Sequence, residues 1–192
     1  MKKILSFIAF ILLLSIYGQA QVERGRYLVG GNIDISEMLQ GKNSGFNMAL
    51  APSFGVFVIK GLAIGAKYSF AITNTHNFSN SSHKYTNTTT FATGIGPTIK
   101  YYYGKKSLKG VVSANVNYLT STTFRKTNST SISGTSGFSA IGLLGMAYFF
   151  NPHISLESGL YLSGAGFEKQ LPVTRIGFSV GLYAFLDKKK KE

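Results

Sequence analysis

The stretch that decides the fold is Thr174–Leu186, TRIGFSVGLYAFL. From Ile176 onward its even positions are apolar, and its odd positions mix Gly and Ser with Arg175, Tyr183 and Phe185. The apolar set is Ile176, Phe178, Val180, Leu182, Ala184 and Leu186. This period of two predicts a β-strand with one apolar face, because successive side chains of a strand point to opposite sides.

Seven earlier segments alternate in the same way, so we predict an all-β chain of eight strands. They are Arg26–Ser36, Phe46–Val58, Leu62–Thr73, Thr89–Tyr103, Lys109–Thr123, Phe138–Phe150 and Ile154–Ser163. In Phe138–Phe150 the alternation is weak, since both faces are apolar. Pro52 and Pro97 lie inside strands and cannot donate a ladder hydrogen bond. We expect a bulge or a missing pairing partner at each.

The connections between these strands alternate between long and short. The long ones are Glu37–Gly45, Asn74–Thr88, Phe124–Gly137 and Gly164–Pro172, and the short ones are Lys60-Gly61, Gly104–Leu108 and Asn151–His153. Long loops at one end and tight turns at the other are typical of up-and-down barrels in the bacterial outer membrane. An even strand number brings both termini to one side. We therefore expect periplasmic termini and extracellular long loops.

The composition of the two faces predicts that the apolar face meets lipid. The opposite face is rich in Gly, Ser, Ala and Asn, which suit the narrow interior of an eight-stranded barrel. Aromatic residues cluster near the strand ends, as they do at membrane interfaces. One group is Phe70, Phe91, Tyr118 and Phe138, and the other is Tyr27, Tyr101, Tyr103, Tyr148 and Phe150. Hydrocarbon cannot solvate open backbone groups, so the sheet must close into a transmembrane barrel.

The first twenty residues have the features of a cleaved signal peptide. Lys2 and Lys3 precede the apolar run Ile4–Ile16, and Gly18-Gln19-Ala20 supplies small residues for cleavage before Gln21. The run is too short for a comfortable membrane-spanning helix. We therefore divide the chain into a signal peptide (1–20), a barrel (21–186) and a charged periplasmic tail (187–192). The chain has no Cys, which excludes disulfides and thiolate metal sites.

The chain is strongly basic, with 20 Lys and Arg against 7 Asp and Glu. Loss of Lys2 and Lys3 with the signal leaves 18 basic residues. Two interpretations stay open: contact with anionic head groups of outer-membrane lipid and lipopolysaccharide, or simply solvated loops and tail. Nucleic acid is not expected as a partner, because an exported chain seldom meets it.

Six charged residues fall on the predicted inner face. They are Arg26, Asp34, Lys67, Lys100, Glu157 and Arg175. Charges in a confined interior must be paired. Since four bases face two carboxylates, we expect each carboxylate to bridge more than one base. We interpret the set as a structural salt-bridge network in a filled barrel without an open lumen; a gated ion path is the alternative.

The chain resembles the small porin-like outer-membrane barrels, the eight-stranded OmpX/OmpA-like group, over essentially its whole mature length. The segments that carry this resemblance are Pro52–Phe57, Leu62–Tyr68, Gly96–Tyr102, Leu156–Leu160 and Gly177–Leu186. The resemblance implies an architecture without an activity. The last segment is also similar to the C-terminal signal that barrel-assembly machinery recognises, although Ala184 replaces a larger residue and six residues follow Leu186.

No catalytic, cofactor-binding or metal-binding residue is predicted. His76 and His83 lie in a long polar segment and His153 in a turn on the opposite side. Our leading hypothesis is a monomeric, non-enzymatic barrel with an envelope-structural or surface-interaction role. The alternatives are a lipid A-modifying hydrolase that uses Ser, His and a carboxylate, and an accessory barrel of a secretion machine.

Overall fold

A computed structural model describes residues 22–40, 43–79, 84–104, 107–126, 130–167 and 170–187. The predicted signal peptide, its cleavage site, His83 and residues 188–192 of the predicted tail lie outside these ranges. Within them, no helix has the length and apolarity needed to cross a bilayer.

The chain forms eight antiparallel strands in simple up-and-down order, and β1 pairs with β8 to close the barrel. The strands are β1 (Tyr27–Gln40), β2 (Asn43–Ile59), β3 (Leu62–Ser79), β4 (Lys84–Tyr103), β5 (Leu108–Lys126), β6 (Thr130–Asn151), β7 (Ile154–Phe167) and β8 (Gln170–Leu186). The predicted fold class is therefore confirmed.

The two ends of the barrel differ in how the strands connect. We call one the turn end: β1 begins and β8 ends there, and β2–β3, β4–β5 and β6–β7 are joined there. Gly61 and Gly104 lie in two of these connections with φ of 81° and 118°, a conformation that residues with a Cβ rarely adopt. We call the opposite end, where the other four connections lie, the loop end.

The prediction of long loops at the loop end is wrong for most of the residues concerned. The β3–β4 ladder continues to Ser79↔Lys84 and the β5–β6 ladder to Lys126↔Thr130. Six of the eight strands contain 17 to 22 residues, whereas the predicted segments contain 10 to 15. Polar Thr, Ser and Asn were interpreted as loop, yet a ribbon outside lipid needs no apolar face. Cross-strand contacts support it, such as the hydrogen bond that Thr89 Oγ1 donates to Asn74 Oδ1 at 2.9 Å.

The expectation that each of the two prolines has a missing pairing partner is confirmed. The β2–β3 register passes from Leu50↔Phe70 to Ser53↔Lys67 and leaves Pro52 without a partner in β3. Pro97 likewise has no partner in β5. The register on both sides is unchanged, so neither proline introduces a bulge.

The apolar face points outward, as predicted. Large side chains such as Leu144, Leu160 and Ile176 are more than half exposed on the barrel surface. Both expected aromatic groups lie at this surface. In the first, Tyr118 and Phe138 pack edge to face at 5.4 Å. In the second, Tyr148 and Phe150 are half-buried because their rings contact each other at 5.3 Å.

Candidate functional site: the barrel interior

Large aromatic side chains close the interior at the turn end. The rings of Phe57, Tyr102, Phe149 and Phe185, which we call the aromatic plug, contact one another with centroids 4.9–6.2 Å apart. All four are buried, and Leu28 and Val111 pack in the same cluster. This end of the barrel therefore has an apolar core of the kind found in soluble proteins.

A buried ion pair lies directly on the aromatic plug. Lys100 Nζ is 2.7 Å from Glu157 Oε2, and the hydroxyl of Tyr102 donates to the other oxygen of Glu157. Lys100 Nζ also lies 3.5 Å from the centre of the Tyr183 ring. Glu157 is only 1% exposed. Its charge is thus balanced by one lysine and one phenol, and the lysine gains a cation–π contact.

A second cluster occupies the middle of the barrel. Asp34 Oδ2 lies 3.6 Å from Lys67 Nζ, and Ser179 Oγ donates to Asp34 Oδ1 at 2.5 Å. Ser179 in turn accepts a hydrogen bond from Asn32 at 2.9 Å. Both charged side chains are buried. The two clusters together fill the cross-section, since the gap between them has a volume of only about 10 Å³.

The expected bridging of several bases by each carboxylate is wrong. Among the described residues, Asp34 and Glu157 each form an ion pair with one lysine, and neutral hydroxyls satisfy their remaining oxygens. The other two bases lie elsewhere. Arg26 is at the turn end, where its Nε is 2.7 Å from Asp187 and it donates to the carbonyl oxygen of Phe185. Arg26 thus ties the start of β1 to the end of β8.

The loop half of the interior is not filled, which corrects the expectation of a barrel without free volume. It contains a cavity of about 240 Å³. The wall consists mainly of small residues, and nine Ser and Thr side chains line it, together with the phenol of Tyr161. The nine are Ser69, Thr73, Thr75, Thr90, Ser121, Thr123, Thr135, Ser139 and Ser163. We call this space the polar cavity. It exists because Ser, Thr and Ala occupy positions that aromatic rings occupy at the turn end.

Arg175 lines the polar cavity together with Lys67 and Asp34. Its Nη1 donates to Asn47 Oδ1 at 3.3 Å, while its buried Nε has no hydrogen-bond partner among the described residues. Within that part of the chain, no carboxylate lies in ion-pair distance of Arg175. Arg175 is thus the one predicted interior charge whose described surroundings hold no counter-charge.

The described residues contain no arrangement suited to metal or nucleophilic chemistry. No group of three His, Asp and Glu residues lies close enough there to hold a metal. His153 Nδ1 contacts Arg26 and the carbonyl oxygen of Phe185 and lies 3.8 Å from Asp187, and it bonds to no serine within the described ranges. The side chain of His76 lies outside the part of the chain that the structure describes.

The aromatic plug was not predicted from the sequence. A usable signal was present, because its four rings lie at inward positions within a few residues of the turn end of their strands. The same feature explains the weak alternation of Phe138–Phe150: Ala147 and Phe149 are apolar on the inner side because they pack in the plug cluster.

Comparison with known proteins identifies the architecture. No protein-family model matches this chain, and no curated protein matches it either. Among solved structures, it is similar to Neisserial surface protein A (NspA), with 17% identity, a TM-score of 0.54 and coverage of 83% of this chain and 96% of that one. It is also similar to the outer membrane protein OprG from Pseudomonas aeruginosa, with 11% identity, a TM-score of 0.52 and coverage of 89% and 100%.

These likenesses extend over nearly the whole of both chains, so they concern the complete barrel and not one hairpin. At such low identity they establish the fold and leave activity open. Together with the lipid-facing apolar surface and the closed strand order, they show that this protein has the fold of the small OmpX/OmpA-like outer-membrane β-barrels.

Proposed function

We propose that this protein is a non-enzymatic outer-membrane barrel that contacts acidic molecules at the cell surface through its hairpin extensions, with the loop end extracellular and both termini periplasmic. The observation that carries this proposal is the paired polar ribbon beyond the lipid-facing band. In β3 the apolar outward face ends at Ile72, yet the strand continues to Ser79. At about 3.3 Å per residue and a tilt of about 40°, residues 73–79 reach on the order of 15–20 Å further.

The charge of these ribbons suggests what they meet. Arg125 and Lys126 end β5, and Lys84 begins β4 directly opposite Ser79. Arg125 is exposed. Backbone pairing fixes the position of these residues along the barrel, whereas a structureless loop would spread them over a large volume. Cations held just above a bilayer surface are attracted to anionic head groups. The phosphorylated core of lipopolysaccharide is the partner that fits this position.

No described feature favours the hydrolase alternative. The residues that the structure describes place no serine, histidine and carboxylate in a hydrogen-bonded series. Such a series is what nucleophilic attack on an acyl ester requires. The alternative of an accessory barrel in a secretion machine likewise rests on no contact surface seen here.

Co-sedimentation of the micelle-folded protein with purified lipopolysaccharide tests the proposal. Arg125→Gln/Lys126→Gln removes one Arg and one Lys at the loop end, and Arg24→Gln/Lys60→Gln removes the same two types at the turn end. We expect at least threefold weaker binding for the first variant and wild-type binding for the second, with affinity falling as salt rises. Equal binding by both variants would contradict the proposal, as would release of fatty acid from lipid A by the purified protein.

A further inference from the structure

We propose that the polar cavity is a binding site for a small hydroxylated organic monoanion, held through its carboxylate by Arg175. The proposal goes beyond surface contact, because it concerns the inside of the barrel. The first step is the charge of the lining. Arg175 and Lys67 each contribute +1 and Asp34 contributes −1, so the described lining carries a formal +1.

The surroundings of the two cations indicate that the anion binds to Arg175 and not to Lys67. Lys67 already has Asp34 at 3.6 Å. Among the described residues, the amide oxygen of Asn47 is the one side-chain acceptor of Arg175, and the buried Nε of Arg175 has no partner there. Arg175 is half-buried. A partly desolvated guanidinium is stabilised by an anion, and its planar fork matches the two oxygens of a carboxylate. A monoanion balances the lining, whereas a phosphate monoester would exceed it, since it carries about −1.5 to −2 at neutral pH.

The rest of the lining decides what the anion carries besides its carboxylate. Ten hydroxyl-bearing side chains, nine Ser and Thr together with Tyr161, line the cavity, and one hydroxyl, Thr135 Oγ1, is buried without a partner in the described part of the chain. Hydroxyl groups both donate and accept, so they suit a ligand that bears hydroxyls. Apolar side chains are in the minority, with Leu119 and Ile141 the largest. Ser69, Thr73, Thr75 and Ser121 already donate to protein oxygens, and Thr90 and Thr123 bond to each other. These hydroxyls therefore offer a ligand their free lone pairs, which a ligand hydroxyl can use as acceptors and an acyl chain cannot.

The volume sets the size of the ligand. At about 240 Å³ the polar cavity lies just below the range of about 300–1,000 Å³ typical of small-molecule sites. A single sugar acid fits this space, whereas an oligosaccharide does not. The Asp34–Lys67 and Lys100–Glu157 clusters and the aromatic plug fill the barrel between the polar cavity and the turn end. A bound ligand therefore does not pass to the turn end. The structure therefore describes a dead-end site and not a permeation path.

Equilibrium dialysis of radiolabelled D-glucuronate against the micelle-folded protein tests this inference. D-Glucose is the matched neutral compound, because it has the same ring without the carboxylate. We expect glucose to bind at least tenfold more weakly than glucuronate. We expect Arg175→Gln to weaken glucuronate binding at least tenfold, and Arg24→Gln, which removes an exposed arginine at the turn end, to leave it unchanged. Folding of each variant is checked by its migration on a gel before and after boiling.

A second variant keeps the test decisive if Arg175→Gln does not fold. Ala92→Phe places a ring in the cavity wall while Arg175 stays in place. Glucuronate binding should then fall at least tenfold because the volume is filled. Absence of glucuronate binding to the wild type would overturn the inference. Equal affinity for glucose and glucuronate, or unchanged binding in the folded variants, would overturn it as well.

Discussion

Replacing Glu157 by Gln should destabilise the barrel strongly, because it leaves Lys100 charged in a closed space. The Glu157 side chain is 2% exposed and that of Lys100 7% exposed, and their charged atoms are 2.7 Å apart. Removing one partner of such a buried pair costs about 3–5 kcal/mol. Gln keeps the shape and one hydrogen bond to Tyr102, so we expect about 3 kcal/mol. With a slope of about 2 kcal/mol per molar urea, the unfolding midpoint should fall by about 1.5 M.

The matched control is Glu23→Gln, which removes the same charge from an exposed residue that precedes β1. Its urea midpoint should stay within the error of the wild-type value. Unfolding is followed by circular dichroism and by migration on a gel, with the barrel folded in the same micelles throughout. An equal midpoint for the two variants would refute the buried ion pair.

A double-mutant cycle with Lys100→Met separates the interaction free energy of the ion pair from the free energy lost through altered packing. Lys100→Met alone leaves the Glu157 carboxylate buried, with only Tyr102 as its described partner. The double variant buries no unpaired charge, so its loss should be smaller than the sum of the single losses by about 2 kcal/mol. Strict additivity would show that the two side chains do not interact.

Two further predictions concern the wall and the plug. A Cβ on Gly65 would meet the carbonyl oxygen of Phe54 at 2.0 Å, so Gly65→Val should prevent assembly of the barrel. A Cβ on Gly142 would meet nothing within 4 Å, so Gly142→Val should assemble like the wild type, as judged by migration on a gel before boiling. Equal assembly of both variants would contradict the register of β2 and β3. The aromatic plug closes the turn end, so planar-bilayer recordings should show no stable porin-sized current. Such a current from the wild type would contradict the closure of the turn end by the plug.

The inward or outward direction of most side chains was predictable from the sequence, because strand geometry alone sets it. Ile176, Phe178 and Val180 face lipid for the same reason that Ser179 faces the interior. The limits of the strands were not predictable in this way. Residues 73–79 and 130–137 have no regular apolar face, since Phe78 and Ile132 stand alone among polar residues and Gly. Their pairing comes from the neighbouring strand, which a single stretch of sequence does not show.

The ion pairs and the polar cavity were beyond sequence reasoning for another reason. Which base meets Glu157 depends on how far each strand is shifted along its neighbours, summed from β4 to β7. Lys100 and Lys67 have equivalent patterns in the sequence, yet only Lys100 reaches Glu157. The cavity likewise results from the combined small volumes of Ser, Thr and Ala on all the strands at one level of the barrel.

The most direct test of the central claim is cysteine labelling on intact cells, because the native chain has no Cys. Three single variants suffice: Asn74→Cys at the loop end, Ile64→Cys on the lipid-facing surface and Lys60→Cys in a turn at the turn end, all of them exposed side chains. With a membrane-impermeant maleimide, the account predicts labelling of Asn74→Cys alone, and labelling of Lys60→Cys only after the outer membrane is permeabilised. Labelling of Lys60→Cys on intact cells with Asn74→Cys protected, or equal labelling of Ile64→Cys and Asn74→Cys, would contradict a membrane barrel with its loop end outside the cell.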